Sequence, residues 1–114
     1  MTNTPQRKNV IKYQTSIDPP KEQDKSLIIS KDKYTTNDET LLIVRGVSNS
    51  EVTLNSTVTK RIVVKSLTSV LVKPDMGMID EEWDELLLEK GSCVQFQFVQ
   101  GNWYILSSDG LKIS

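Results

Sequence analysis

Histidine is absent from the 114 residues, and cysteine occurs once, at Cys93. Without histidine the usual general base and the commonest neutral metal ligand are missing. A Ser–His–Asp or Cys–His arrangement cannot be assembled, and a structural zinc site is excluded in practice. One cysteine permits no intrachain disulfide, which fits synthesis in a reducing compartment. Cys93 lies in an alternating strand pattern and reads as a packing residue rather than a reactive thiol. No apolar run approaches the ~18 residues of a membrane-spanning helix. The polar stretch from Met1 to Val10 lacks the apolar segment of a signal peptide. Glycine-rich phosphate loops and calcium-binding loop patterns are missing too. The expectation is a protein that is not an enzyme and carries no cofactor or metal.

Charge of either sign is not in excess: 14 basic and 15 acidic residues leave a formal net charge of −1. No global field draws the chain to nucleic acid or to an anionic membrane, and neither is expected as a partner. Apolar residues make up 37% of the chain, and they are unevenly spread. Residues 1–40 hold few large apolar side chains, whereas 41–106 are dense in Val, Leu and Ile. A core built from that part alone is marginal, and association of copies is a natural remedy.

The chain divides accordingly into an extended N-terminal arm at 1–26, a connector at 27–40 and a β domain at 41–114. Pro5, Pro19 and Pro20 interrupt any helix in the arm. Its basic residues Arg7, Lys8 and Lys12, with Val10, Ile11, Tyr13 and Ile17, are the candidates for docking on a partner surface. Such an arm buries too little surface to fold alone. Within the connector, Leu27 to Ile29 suit a short strand. From residue 41 the period changes to two. Runs at 41–47, 52–54, 61–65, 69–73, 77–80, 86–88, 93–98, 103–106 and 111–113 are broken by turn residues every ~8–12 positions. That pattern predicts an all-β fold, a small sandwich or β-roll of about seven to nine short strands. The clearest alternation is Val94, Phe96 and Phe98 against Cys93, Gln95 and Gln97. Gln100, Gly101 and Asn102 make the turn to its partner strand, with Gly101 and Asn102 suited to positive φ. Phe96, Phe98 and Trp103 are the expected hairpin core.

Four further patterns admit a functional reading beside a plain one. The acidic run Asp80, Glu81, Glu82, Asp84 and Glu85 offers hard oxygens to calcium, but lacks a binding loop's spacing and reads better as a solvated face. It forms either one helical turn or an acidic loop leading into the strand at Leu86. Trp83, Trp103 and Tyr104 suit a sugar-stacking platform. Because Trp103 and Tyr104 are consecutive in a strand, one faces the core and the other the surface. The surface candidates are therefore Trp83 and Tyr104, and packing outweighs glycan binding. Gln95, Gln97 and Gln100 form a solvent face or a polar ladder between subunits. The basic arm is a weak phosphate footprint and reads better as a tether on a protein.

The strand pair "RIVVKSLTSVLVKPDMGMID" and the hairpin "GSCVQFQFVQGNWYIL" resemble a β domain that recurs in virion proteins of tailed bacteriophages. The shared positions are Ile62 to Lys65, Val70 to Pro74, Gly77, Ile79, Asp80, Gly91 and Gly101 to Ile105, within a stretch from Leu41 to Ser107. The resemblance implies a structural role in the virion, made in the host cytoplasm. It implies homotrimers that bind capsid, neck or tail proteins. Capsid decoration, a head fibre or a minor head protein is the first expectation. A collar or tail-fibre adaptor, or a carbohydrate-binding module of a surface structure, is the alternative. Two features depart from the pattern. The acidic "DEEWDE" segment is unusual, and the chain stops just after the domain, which favours a short decoration protein over a long fibre.

Overall fold

The computed structural model describes residues 25–110, and over that span the protein is all-β. Nine strands lie in two sheets: β1 Ser26–Ile29, β2 Lys33–Thr35, β3 Leu41–Val44, β4 Ser50–Leu54, β5 Arg61–Ser66, β6 Val70–Pro74, β7 Leu86–Leu88, β8 Cys93–Val99 and β9 Asn102–Asp109. Residues 1–24 of the expected 1–26 arm, and the expected strand at 111–113, fall outside the described residues. The segment read as a connector contributes β2 and most of β1, whose first residue, Ser26, belongs to the expected arm, so the fold begins before residue 41. Lys33–Thr35 escapes a hydrophobic reading because Tyr34 is its one large apolar side chain; backbone pairing with β4 makes it a strand.

The first six strands alternate between the sheets. In the first sheet β1, β3 and β5 pair in parallel, and β8 and β9 follow antiparallel. In the second, β2, β4 and β6 pair in parallel and β7 closes antiparallel. The first six strands are thus three stacked rungs of a roll, each rung giving one strand to each sheet. Parallel neighbours cannot be joined by a hairpin, so the chain crosses to the other sheet and back between them. One rung takes 15 to 22 residues, as the pairs Ser26–Leu41, Leu41–Val63, Lys33–Glu51 and Glu51–Leu71 show.

Alternation along each strand fills the space between the sheets. Leu42, Val64 and Val94 stack as one row, and Ile62, Phe96 and Ile105 as another. From the facing sheet, Val52 stacks on Val72 and Leu86, and Val70 on Leu88. Leu42, Val52, Ile62, Val64, Val70, Val72, Leu88, Val94 and Phe96 are all 0% exposed. Each large aliphatic side chain removed from water in this way contributes about 1.5–3 kcal/mol. The corners between rungs are polar and cross-linked. Thr36 accepts the amide of Asn55 at 2.9 Å, and the Thr59 hydroxyl donates to the carbonyl of Asn37 while its oxygen meets the Thr36 hydroxyl at 3.0 Å. These buried threonines satisfy backbone groups that the turns would otherwise leave orphaned.

Candidate functional site

The two ends of the roll differ. At one end β8 and β9 cover β5, β7 covers β6, and Trp103 fills the closing space. Trp103 is fully buried and meets Phe98 with ring centroids 5.3 Å apart and planes tilted by 56°. Of the expected hairpin core, Phe96 and Trp103 lie inside; Phe98 is half-buried at the rim, where the Lys60 ammonium sits 5.2 Å above its ring. The turn differs from expectation by one position: Gln100 and Gly101 take positive φ, while Val99 pairs with Asn102 as the last rung of the hairpin. Asn102 instead uses its side chain, whose Oδ1 accepts the amide of Met78 at 2.8 Å.

The acidic segment is a loop, not a helical turn. Ile79 and Trp83 bridge across it, and Asp80 and Glu81 both take positive φ. The left-handed region costs a residue with a Cβ about 1–2 kcal/mol. Contacts to β9 hold the strained turn in place. The Asp80 amide donates to the carbonyl of Trp103 at 2.8 Å, and Asp80 Oδ1 accepts the amide of Ile105 at 2.9 Å. The Tyr104 hydroxyl donates to Glu81 Oε2 at 2.8 Å, and that bond, with burial, raises the Tyr104 pKa above its ordinary value. The five carboxylates do not converge: among the described residues, no group of three or more Cys, Asp or Glu side chains is placed to hold a metal ion.

The surface aromatics play different parts. Trp83 is half-buried and packs against the core. Tyr104 faces outward beside Gln97, and its hydroxyl is engaged by Glu81. Gln95 and Gln97 point outward too. Arg61 donates to Gln97 Oε1 at 3.0 and 2.6 Å, and Ser107 donates to Gln95 Oε1 at 3.3 Å. The two amides are therefore partnered within the sheet, while Gln100 lies in the turn. Cys93 is half-buried on this outward face, between Lys65 and Asp109 in the strand register, rather than in the core.

The same outward face turns apolar toward β1. Ile28 stands beside Ile43, and Leu41 beside Val63. Ile28 is 51% exposed and the other three are half-buried. This aliphatic patch was not legible beforehand, since parallel pairing of three separated runs brings it together. Among the described residues, the first rung is the end that no other strand covers. Among the described residues nothing pairs with the outer edges of β1 and β2. Leu27 faces inward beside Leu42 yet stays 37% exposed. Tyr34, inward beside Val52, has its pKa pushed up to about 12 by burial and by the nearby Glu39 carboxylate. Lys25, the residue that enters β1, is held at this end by Asp38, 2.6 Å away; that ion pair lowers the Asp38 pKa. The docking candidates Arg7, Lys8, Val10, Ile11, Lys12, Tyr13 and Ile17 precede it and lie outside the described residues.

Comparison with protein-family models, with curated proteins and with solved structures gave no match to this chain.

Proposed function

We propose that this chain is a non-enzymatic structural protein of a tailed-bacteriophage particle, of the capsid-decoration, head-fibre or minor-head class, attached through residues 1–26. The observation that carries the reading is the placement of tether and body. The arm enters the fold at β1, on one edge of the first sheet, while the hairpin that resembles virion domains forms the opposite edge as β8 and β9. A body that projects from a particle needs its attachment and its closed cap at opposite ends. The arm brings Arg7, Lys8 and Lys12 with no acidic residue before Asp18. Its partner is then a capsid or neck surface with exposed carboxylates. Contacts of that kind are individually weak.

Homotrimers supply the strength. Three linked arms turn the second and third contacts into intramolecular events, and avidity rises by orders of magnitude without any new contact. The aliphatic patch of Ile28, Leu41, Ile43 and Val63 is the surface through which copies associate.

Antibody raised against residues 25–110 and applied to virus particles from the chain's source tests the reading by immunogold electron microscopy. Gold on heads or necks of intact particles is the expected result. Gold that follows only free protein in the lysate, with clean particles bare, overturns it.

A further inference from the structure

The segment that follows β6 takes up the backbone groups on the outer side of β9. Trp103 donates its amide to the carbonyl of Met78 at 2.9 Å, and its own carbonyl accepts the amide of Asp80 at 2.8 Å. These bonds make Ile79 a parallel bridge partner of Trp103. In a continued parallel ladder the next amide on that side, from Ile105, would donate to the main-chain carbonyl of Asp80. It donates instead to Asp80 Oδ1, at 2.9 Å. By then the backbone has left the ladder, because Asp80 sits at φ 54° and Glu81 at φ 59°. The carboxylate stands where the carbonyl of a longer strand would have been.

The strand beneath is one that needs covering. The seven residues from Asn102 to Ser108 carry no charge, no proline and no glycine, and include Trp103, Tyr104 and Ile105. An uncharged run of good β formers on a sheet edge is a template for a strand from another chain. Past Ile105 the register with β8 skips Leu106, a bulge of the kind that bends a strand and ends pairing. The covering segment is also pinned at both ends. Asn102 Oδ1 accepts the amide of Met78 at 2.8 Å, and the Tyr104 hydroxyl donates to Glu81 Oε2 at 2.8 Å. The amides of Glu82 and Trp83 turn back to the carbonyl of Ile79 at 3.0 and 2.9 Å.

We propose that Met78 to Trp83 is an edge guard, a short parallel segment ending in a hook, which keeps β9 from pairing with the β9 of a second copy. A strand docking there needs the amides of Trp103 and Ile105, and the guard holds both. The guard does not pass the template on, because its two left-handed residues turn the chain off the extended path after Ile79. Asp80 is the positioning residue: it supplies the turn and the oxygen that takes the last amide. The unusual acidic segment thereby acquires a use that needs no bound ion, and assembly of copies is left to other surfaces. The inference does not depend on the identity of the particle.

Full-length variants at Asp80 test it, by amide exchange followed with NMR and by mass from light scattering. Asp80→Gly keeps the left-handed turn without strain and removes the acceptor. In dilute solution its Ile105 amide is expected to exchange roughly tenfold faster than in the wild type, while Val94 and Phe96 keep wild-type rates. In concentrated solution its mass should rise to about twice that of the wild type, as two-fold pairing of edges gives, and Ile105 protection should return. Asp80→Asn keeps an oxygen at the Oδ1 position and tolerates the turn, so it should match the wild type in both readings. Wild-type exchange at Ile105 in Asp80→Gly overturns the proposal, as does a wild-type mass in concentrated solution. Association of Asp80→Asn equal to that of Asp80→Gly also overturns it, because lost charge and not the lost acceptor is then the cause. If Asp80→Gly speeds exchange at Phe96 as well, the hairpin itself has opened. Asn102→Ala then decides, since it releases the guard at Met78 instead, and the same two readings at Ile105 and in mass support or overturn the proposal.

Discussion

The α-carbon of Gly77 faces the carbonyl oxygen of Gly101 so closely that a Cβ built on it would lie 1.9 Å away. Backbone meets backbone here, and no side chain can swing aside to make room. Gly77 also sits at φ +70°, where residues with a Cβ are strained. The contact locks the turn after β6 onto the tip of the β8–β9 hairpin, next to the bond from Met78 to Asn102. Gly77→Ala is therefore expected to lower the unfolding free energy by roughly 2–4 kcal/mol. Gly91 is the control: its φ is +96°, but nothing lies within 4 Å of its absent Cβ. Gly91→Ala should cost about 1–2 kcal/mol, the backbone term alone. Urea unfolding of both variants checks the difference, and equal losses would show that the close approach is not what holds the turn.

That contact also shows where sequence reading stops. Gly77 stood out in sequence as a position shared with the resembled domain, but its neighbour 24 positions along the chain did not. Alternation gave the inward residues of β8 correctly at Val94 and Phe96, because a strand's face is written in its own side chains. The direction of its partners is not written there. Parallel pairing of β1, β3 and β5 arises from crossings between two sheets, so the roll and its outward patch emerge only in three dimensions. Leu86, Leu87 and Leu88 look alike in sequence, yet Leu88 is buried and Leu87 is 53% exposed. The strained pair Asp80 and Glu81 carried no signal beyond acidity, since its conformation is imposed by hydrogen bonds to β9.

Tyr34 makes stability depend on pH in the alkaline range. A tyrosine is neutral while protonated, and its pKa rises from 10.0 to about 12 in the fold, first through burial and then through Glu39. The folded protein holds the proton more tightly than the open chain does. The resulting stabilisation is fully present below pH 10 and is lost as pH rises from 10 through about 12. A variant that lacks the phenol isolates its share of the slope. Tyr34→Phe should show a shallower fall in urea midpoint between pH 9.5 and 11.5 than the wild type. Parallel curves would mean that the ring titrates alike in both states.

Trp83 separates a packing role from a sugar platform. Its indole is half-buried against the core and next to the bridge with Ile79. Trp83→Ala should reduce stability by about 1–3 kcal/mol, below the ~3–5 kcal/mol typical of a fully buried large aromatic. Trp103→Ala, at 0% exposure, should reach that upper range. A glycan platform would behave otherwise: the Trp83 variant would unfold at the wild-type midpoint while losing signal on a glycan array. Chemical denaturation of the two variants beside an array with the wild type distinguishes them.

The aliphatic patch on the first sheet makes the assembly state testable by single substitutions. Ile43 lies at its centre, flanked by Ile28 and Lys65 in the strand register, and its side chain points away from the core. Replacing it by lysine leaves Leu42 and Val44, its fully buried neighbours, untouched. An outward substitution of this sort typically changes folding stability by less than ~0.5 kcal/mol. If copies associate through the patch, however, Ile43→Lys places three like charges in one desolvated contact, and burying an unpaired charge costs far more than one side chain's apolar gain. Light scattering after size-exclusion chromatography should therefore give a trimer mass for the full wild-type chain and a monomer mass for Ile43→Lys, with matching far-ultraviolet circular dichroism. Glu51→Lys, on the outward face of the other sheet where Glu51 pairs with Lys73 at 3.5 Å, should remain a trimer. A wild-type chain that elutes as a monomer removes the trimer, and a trimer unaffected by Ile43→Lys moves the contact off this face.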